Sequence, residues 1–91
     1  MTKPALPTAR EMIPILLVVL TELGGSATVR DIEAAVAVRL ALTEEQLGIT
    51  HDKSRSEFQY RLGWTRSYAK KEGQVVLTKR NHWSLPNTSV V

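Results

Sequence analysis

The sequence predicts a small, mainly α-helical domain that ends in a β-hairpin. Two observations carry this prediction. Between about residues 11 and 72, apolar residues recur at helical spacing in segments that open with capping signals, whereas after Gly73 they alternate as in strands. A length of 91 residues allows one such domain with a single core. The predicted order is helix, short strand, helix, small helix, long helix and hairpin.

The first helix is expected from about Glu11 to Leu23. Its apolar residues fall at i, i+3 and i+4. Pro14 suits the first turn of a helix, where no amide hydrogen is needed, and Gly24-Gly25 is expected to end the helix. A signal peptide is the alternative, because Lys3 and Arg10 precede the apolar run. The helical spacing favours a core helix. The run is also much shorter than the roughly 20 residues that cross a bilayer, so no membrane partner is expected.

Two capping patterns place the next helices. Ser26–Thr28 is a short extended piece that can pair with strands elsewhere. Thr28-Val-Arg-Asp31 has the spacing of a capping box and predicts a second helix to about Leu42. Thr43-Glu-Glu-Gln46 is another box and predicts a short helix to about Leu47, followed by a polar connector over 48–53.

The long helix is predicted within RSEFQYRLGWTRSYAKKEG, residues 55–73, which holds four of the five aromatic residues and five of the twelve Lys and Arg. Ser54-Arg-Ser-Glu57 predicts its start as a third capping box, and Gly73 predicts its end. Beyond it, alternating apolar residues predict two strands joined at 79–82, where Asn81 tolerates positive φ.

Three helices followed by a hairpin is the order of a winged helix-turn-helix: a three-helix core, a long recognition helix and a C-terminal wing. The predicted organisation is an irregular lead-in over residues 1–10, the winged-helix DNA-binding domain over 11–85 and a flexible tail over 86–91. Other small α+β folds share this order, so the topology alone leaves them open.

Charge divides the chain into two halves. Residues 1–52 contain four Lys or Arg against seven Asp or Glu, whereas residues 53–91 contain eight against two. A positive half on a small domain is typical of a protein that binds a polyanion such as nucleic acid. The chain has no cysteine, which excludes disulfides, a thiol nucleophile and cysteine-ligated metal sites, and is compatible with a cytoplasmic protein.

The long helix is predicted to have a core face and an opposite face, here called the outward arc. The predicted core face comprises Phe58, Leu62, Thr65, Tyr68 and Ala69. The outward arc comprises Gln59, Tyr60, Gly63, Ser67, Lys70 and Lys71, with Arg66 at its border. It contains no acid. A glycine inside a helix costs about 1 kcal/mol, so Gly63 indicates either a close approach of a ligand or close packing within the protein.

These residues predict a surface for double-stranded DNA. Arg55 and Gln59 are expected at base edges, because recognition helices read bases mainly near their N-terminus. Phosphate contacts are expected from Arg66, Ser67, Lys70 and Lys71 on the helix and from Lys79, Arg80 and His82 at the hairpin tip. Tyr60 is a candidate polar contact. The alternative is a solvated basic face.

Trp64 is expected to pack under the hairpin against Trp83, with a base-stacking platform as the alternative. Catalysis is not expected. His51 and His82 lack carboxylates at metal-ligand spacing, and Glu57 and Glu72, the only acids after residue 52, do not form a nuclease site. No cofactor or metal is therefore expected.

The segment RLGWTRSYAKKEG (61–73) resembles the N-terminal domain of Mrr-type restriction proteins, whose long helix carries Arg-aliphatic-Gly-Trp-Ala-Arg-x-Tyr-Leu-Lys-Lys-Ala-Gly. Thr65, Ala69 and Glu72 depart from that pattern. The similarity extends to LTEEQ (42–46) and to KRNHWSL (79–85), where Asn81 stands for the family's glycine, and it covers about residues 12–85. The matching residues are Arg61, Leu62, Gly63, Trp64, Arg66, Tyr68, Lys70, Lys71 and Gly73.

The resemblance implies a winged-helix domain that binds DNA and is fused to a nuclease domain acting on modified, typically methylated, foreign DNA. The 91 residues contain no such nuclease domain, so the chain is expected either as the recognition part of a longer enzyme or as a freestanding regulator. It is expected in the bacterial cytoplasm, associated with the nucleoid. A protein-interaction winged helix, dimerising through its apolar first helix, is the remaining alternative.

Overall fold

The computed structural model describes residues 6–86. Within this range the predicted order is confirmed, in an arrangement of helices and one three-stranded antiparallel sheet that is compatible with a winged helix. The predictions for residues 1–5 of the lead-in and 87–91 of the tail lie outside the described residues. The elements are α1 (Ile13–Glu22), β1 (Ser26–Thr28), α2 (Val29–Arg39), α3 (Glu44–Leu47), α4 (Glu57–Lys71), β2 (Val76–Lys79) and β3 (His82–Ser84).

The sheet has the order β1-β3-β2, so the last strand lies between the other two. Trp83 is paired with Ala27 of β1 and with Leu77 of β2. The expectation that the short piece after α1 pairs elsewhere in the chain is therefore confirmed. Asn81 adopts φ 58° in the turn between β2 and β3, which confirms the turn prediction.

The core is built around α1, which packs against α2 and α4. Leu16, Val19 and Leu20 of α1 are fully buried, which confirms the prediction of a core helix. Of the apolar residues that motivated a dimer through α1, Val19 and Leu20 lie in the chain's own core, whereas Val18 is 38% exposed. Among residues 6–86, no helix combines the length and apolar character needed to cross a bilayer.

Capping side chains begin the helices largely as predicted. Thr28 Oγ1 accepts the Asp31 N–H, and Thr43 forms a complete capping box with Gln46. The predicted start of α4 is wrong: the N-cap is Ser56, which forms a capping box with Gln59. The reason is the connector, which folds back on itself: the Arg55 carbonyl accepts the His51 N–H at 3.0 Å, and Ser56 is paired with Thr50 in an isolated β-bridge, so residue 55 stays outside the helix.

The two long helices that follow α1 end differently. Gly73 adopts φ 77°, and the Gln74 N–H donates to the Ala69 carbonyl at 2.8 Å, so the predicted left-handed end of α4 is confirmed. Helix α2 ends at Arg39, three residues before its predicted end, because Ala41 adopts φ 53°. Alanine is rarely left-handed, so the sequence contains no signal for this stop.

Candidate nucleic-acid interface

Helix α4 has one buried face, which fixes the orientation of its other side chains. Phe58, Leu62, Thr65 and Ala69 are buried, as predicted for the core face. Tyr68, predicted for the same face, is only half-buried, because its ring borders the core at the surface and lies 4.5 Å from the Arg10 guanidinium. The outward arc therefore faces away from the core, as the helical periodicity requires.

A shallow groove of about 420 Å³ runs along the exposed side of α4. It brings together four of the residues predicted to bind DNA, and it adds Trp64, which was not among them. Its lining consists of Arg55, Tyr60, Gly63, Trp64 and Ser67. The groove combines a cation, aromatic rings and small polar groups on one helix face. Such a combination can accept both a phosphate and the flat face of a base.

Gly63 lies in an open part of this groove. A methyl group built on it would meet only Arg66 Nη2, at 3.7 Å, which is an ordinary van der Waals distance. Close packing within the protein, one of the two explanations for this glycine, is therefore contradicted for the described residues. The backbone of α4 is accessible at Gly63, and a ligand could approach it more closely than any other residue type would permit.

Trp64 does not pack under the hairpin, and that prediction is wrong. Its side chain is 47% exposed, and its ring lies 5.7 Å from the Tyr68 ring, tilted by 32°. The hairpin is instead contacted by Arg66, whose guanidinium carbon is 5.8 Å from the Trp83 ring. The side chains of residues two positions apart point in directions that differ by about 200° around the helix axis. Because Arg66 faces the hairpin, Trp64 points away from it.

Arg66 is partly buried between α4 and β3. Burial lowers the pKa of its guanidinium, and Glu33 of α2 partly offsets that effect. Nε and Nη1 are buried and have no hydrogen-bond acceptor among residues 6–86. Unpaired buried nitrogens are costly within a protein, and because these two are shielded from solvent, the Arg66 side chain would have to move before they could meet the phosphate predicted for it.

The two predicted base-reading residues at the start of α4 already have partners. Gln59 Oε1 accepts the Ser56 N–H at 3.0 Å, and its Nε2 lies 3.4 Å from Glu33 Oε1. The Arg55 guanidinium donates to Asp52 at 3.2 Å. The pKa of Asp52 is lowered to about 2, chiefly because its carboxylate accepts the Ser54 N–H. Glu33 and Asp52 belong to other segments, so the helical periodicity of α4 could not reveal that they contact Gln59 and Arg55.

Tyr60 forms a cluster with the connector before α4. The His51 ring stacks on the Tyr60 ring at 3.6 Å, and the Arg55 guanidinium lies 5.4 Å from the same ring. His51 Nδ1 lies 3.1 Å from one Glu57 oxygen, and the other oxygen accepts a hydrogen bond from Arg61 Nε at 2.7 Å. The Arg61 bond is the main reason why the pKa of Glu57 is lowered. This role of His51 was not predicted, because stacking on Tyr60 has no local signature in the sequence.

The remaining predicted cations lie in the last turn of α4 and on the hairpin. Lys70 and Lys71 are exposed in the last turn of α4 and have no ion-pair partner within residues 6–86. Lys79 and Arg80 are exposed at the turn of the hairpin, and His82 is half-buried at the start of β3. The described residues contain no cluster of three His, Cys, Asp or Glu that could hold a metal ion.

Comparison with known proteins gives one match. A family model described as the Mrr N-terminal domain matches residues 10–89, which is most of the chain. No curated protein and no solved structure matches the chain significantly. The family match includes the whole of α4 and both strands of the hairpin.

Proposed function

The chain belongs to the Mrr N-terminal domain family, and from this premise we propose that it is a winged-helix module that binds double-stranded DNA. Membership associates the chain with Mrr-like restriction systems, and the matched domain is not itself a nuclease domain. Under the proposal, α4 is the recognition helix, and β2 with β3 is the wing. The DNA would be modified, typically methylated, foreign DNA in the bacterial cytoplasm.

The observation that carries the proposal is the exposed side of α4. Gly63 leaves the helix backbone open, and the exposed Ser67, Lys70 and Lys71 follow it toward the C-terminal end. The one acid of α4 is Glu57, and both of its oxygens have partners in His51 and Arg61. An incoming phosphate therefore meets accessible cations without an unpaired carboxylate of the same helix.

The geometry supports a division of labour along α4 that differs from the sequence-based hypothesis. Gln59 lies at the predicted base-reading end but caps α4 through Ser56, so reading a base would require it to exchange partners, whereas the exposed Arg55 uses only one guanidinium nitrogen in its pair with Asp52. The exposed middle and C-terminal end need no such exchange. We assign Lys70 and Lys71 to phosphate contacts, which supply affinity without sequence information.

Salt titration of DNA binding tests this proposal. For the unchanged protein, the logarithm of the association constant should fall linearly with the logarithm of salt concentration, with a slope of about −0.9 per phosphate contacted. Replacing Lys70 and Lys71 together by Ala should weaken binding to every duplex and make the slope shallower by about 2. Methylated and unmethylated duplexes of one sequence compared at one salt concentration test the modification preference.

Arg39→Ala is the matched control, because Arg39 is an exposed cation that pairs with Glu22 on the α1–α2 side. It should leave both affinity and slope unchanged. Binding that does not depend on salt, or equal losses in the control and in the double variant, would refute the proposed interface.

A protein-interaction module is the second candidate, and one observation favours it. Val38 of α2 is 80% exposed, and it lines an α1–α2 groove of about 440 Å³ together with the exposed Leu23. Exposed apolar side chains next to each other can mark a docking face. Sedimentation distinguishes the candidates: a stable dimer that Val38→Glu dissociates, combined with no duplex binding, would favour this function over DNA binding.

A further inference from the structure

We propose that a second groove, formed by α4 and the segment before α1, binds an unstacked nucleobase on the Trp64 ring. This inference rests on the proposed function, because the base would belong to the DNA that α4 contacts. It goes further by naming the chemical group that the aromatic residues of α4 recognise.

The groove lies between the N-terminal segment (residues 6–12) and α4, and its volume is about 410 Å³. Thr8 and Ala9 line it from the N-terminal segment, and Tyr60, Trp64 and Tyr68 line it from α4. The segment is fixed in place by hydrogen bonds from α4. Thr65 Oγ1 donates to the Ala9 carbonyl at 2.7 Å, and Arg61 Nη1 donates to the Leu6 carbonyl at 2.9 Å. The aromatic residues therefore face an ordered wall.

Among the three aromatic residues, Trp64 is the most exposed. One side of the Tyr60 ring is covered by His51 at 3.6 Å, and the Arg10 guanidinium lies 4.5 Å from the Tyr68 ring. Trp64 is 47% exposed, and its only aromatic neighbour among residues 6–86 is the tilted Tyr68 ring. Leaving a tryptophan this exposed is unfavourable in water, and stacking of a flat ligand would cover it.

The charges around the groove select the class of ligand. Arg10 lies 4.5 Å from the Tyr68 ring and has no ion-pair partner among residues 6–86, whereas Arg55 is paired with Asp52, and Arg61 with Glu57, the acid of the lining. The unpaired charge of Arg10 disfavours a cationic ligand such as a methylated lysine, although aromatic residues alone would accept one. A flat group on an anionic chain fits this environment, and a nucleotide is such a group.

An unstacked base can come from two sources, which share this chemistry. It can be extruded from a duplex, which costs a few kcal/mol and least at a mismatch, or it can belong to a single strand. Tyr60 and Trp64 line both this groove and the groove on the exposed side of α4. One nucleic acid could therefore occupy both grooves.

The experiment compares three DNA probes of one sequence: the intact duplex, the duplex with one central mismatch, and the single strand. Stacking on an aromatic side chain contributes about 1–3 kcal/mol per base, which corresponds to a roughly 5- to 160-fold loss of affinity in Trp64→Ala. The loss should be greater for the mismatched duplex or the single strand than for the intact duplex, and the probe with the greater loss identifies the source. Trp64→Phe should retain most of the affinity, and Arg39→Ala, which changes an exposed residue on the α1–α2 side, should retain all of it.

Fluorescence gives a second readout. In a Trp83→Phe background the emission comes from Trp64, and stacking of a base should quench it when the mismatched duplex or the single strand is added. Equal losses on all three probes, no loss on any of them, or an unquenched Trp64 would overturn the nucleobase site. None of these outcomes would refute DNA binding itself, because the proposed function is tested separately by the salt-dependent duplex binding of the unchanged protein. If the unchanged protein does not bind duplex DNA, both the proposed function and the nucleobase site are refuted.

Discussion

Replacing Gly63 by Ala should stabilise the protein and weaken its binding to DNA, and the two effects have separate origins. Gly63 lies inside α4, where alanine is favoured over glycine by about 0.8–1.0 kcal/mol. The added methyl would meet only Arg66 Nη2 at 3.7 Å, so no clash offsets this gain. For a domain of this size, about 1 kcal/mol raises the midpoint of thermal unfolding by roughly 4–8 °C.

Binding should change in the opposite direction. If a phosphate or a base edge approaches the α4 backbone at Gly63, the methyl group occupies that space. The backbone N–H groups of α4 are used inside the helix, so the methyl group would act by holding the ligand away from neighbouring donors such as the exposed Ser67. One hydrogen bond to a charged group lost in this way costs about 1.5–3 kcal/mol, which corresponds to at least about tenfold in the dissociation constant. Thermal denaturation and duplex binding of the same preparation measure the stability and the affinity. Gly63→Leu, which adds a larger side chain, should weaken DNA binding further.

Val38→Ala is the matched control for stabilisation. Val38 is exposed on α2, and alanine is favoured over valine in a helix by up to about 0.7 kcal/mol. This variant should be stabilised without any change in DNA affinity. Unchanged binding by Gly63→Ala would show that DNA does not approach α4 at this residue, and an unchanged midpoint of unfolding would show that the space around Gly63 is already filled.

Three further predictions concern charged residues near the start and the middle of α4. Asp52→Asn keeps an oxygen for the local backbone N–H groups but removes the charge 3.2 Å from Arg55, so duplex affinity should rise severalfold at low salt, whereas Asp31→Asn on α2 should change it less. Arg66→Met keeps the apolar stem but removes a guanidinium with unpaired nitrogens, so the free energy of unfolding of the variant should be unchanged or raised. A decrease of more than about 2 kcal/mol would show that the guanidinium stabilises the fold. In the folded protein the pKa of Asp52 is lowered to about 2 and that of Glu57 is also lowered, so their contribution to stability is present above about pH 4 and is lost as pH falls through these lowered pKa values. Ordinary pKa values for both carboxyl groups in an NMR titration would refute this prediction.

The element order could be predicted because its signals are local. A capping box needs two side chains three residues apart, and a left-handed helix end needs a glycine such as Gly73, so both are visible without the fold. The start of α4 was misplaced because a helix capped at Ser54 would use the Arg55 carbonyl as an intrahelical acceptor, whereas that carbonyl accepts the N–H groups of His51 and Asp52 in the connector. Ala41 ends α2 against the preference of its residue type, and tertiary packing supplies that stop.

The candidate site could be predicted only in part, because helical periodicity describes one helix and not its neighbours. It placed Tyr60, Gly63 and Ser67 on the exposed side of α4, where they share a groove. It could not show that Glu33 of α2 faces Arg66, or that His51 covers the Tyr60 ring, since both contacts depend on how other segments fold back on the helix.

The partners found at the start of α4 affect how the proposed module would discriminate between DNA sequences. Paired hydrogen bonds from Gln or Arg supply the usual discrimination between bases, but Gln59 caps the helix through Ser56, which leaves the exposed Arg55, with one hydrogen bond to Asp52, for such contacts at the start of α4. The exposed middle of α4 offers a tyrosine, a glycine and a tryptophan, which provide surface for stacking and close approach but few hydrogen-bond donors. A module of this composition would select DNA mainly by shape and by how readily a base unstacks, because stacking tolerates every base and extrusion energy depends on the sequence and its pairing. Its preference should therefore be weak among unmodified intact duplexes and strong for sites where base pairing is already perturbed.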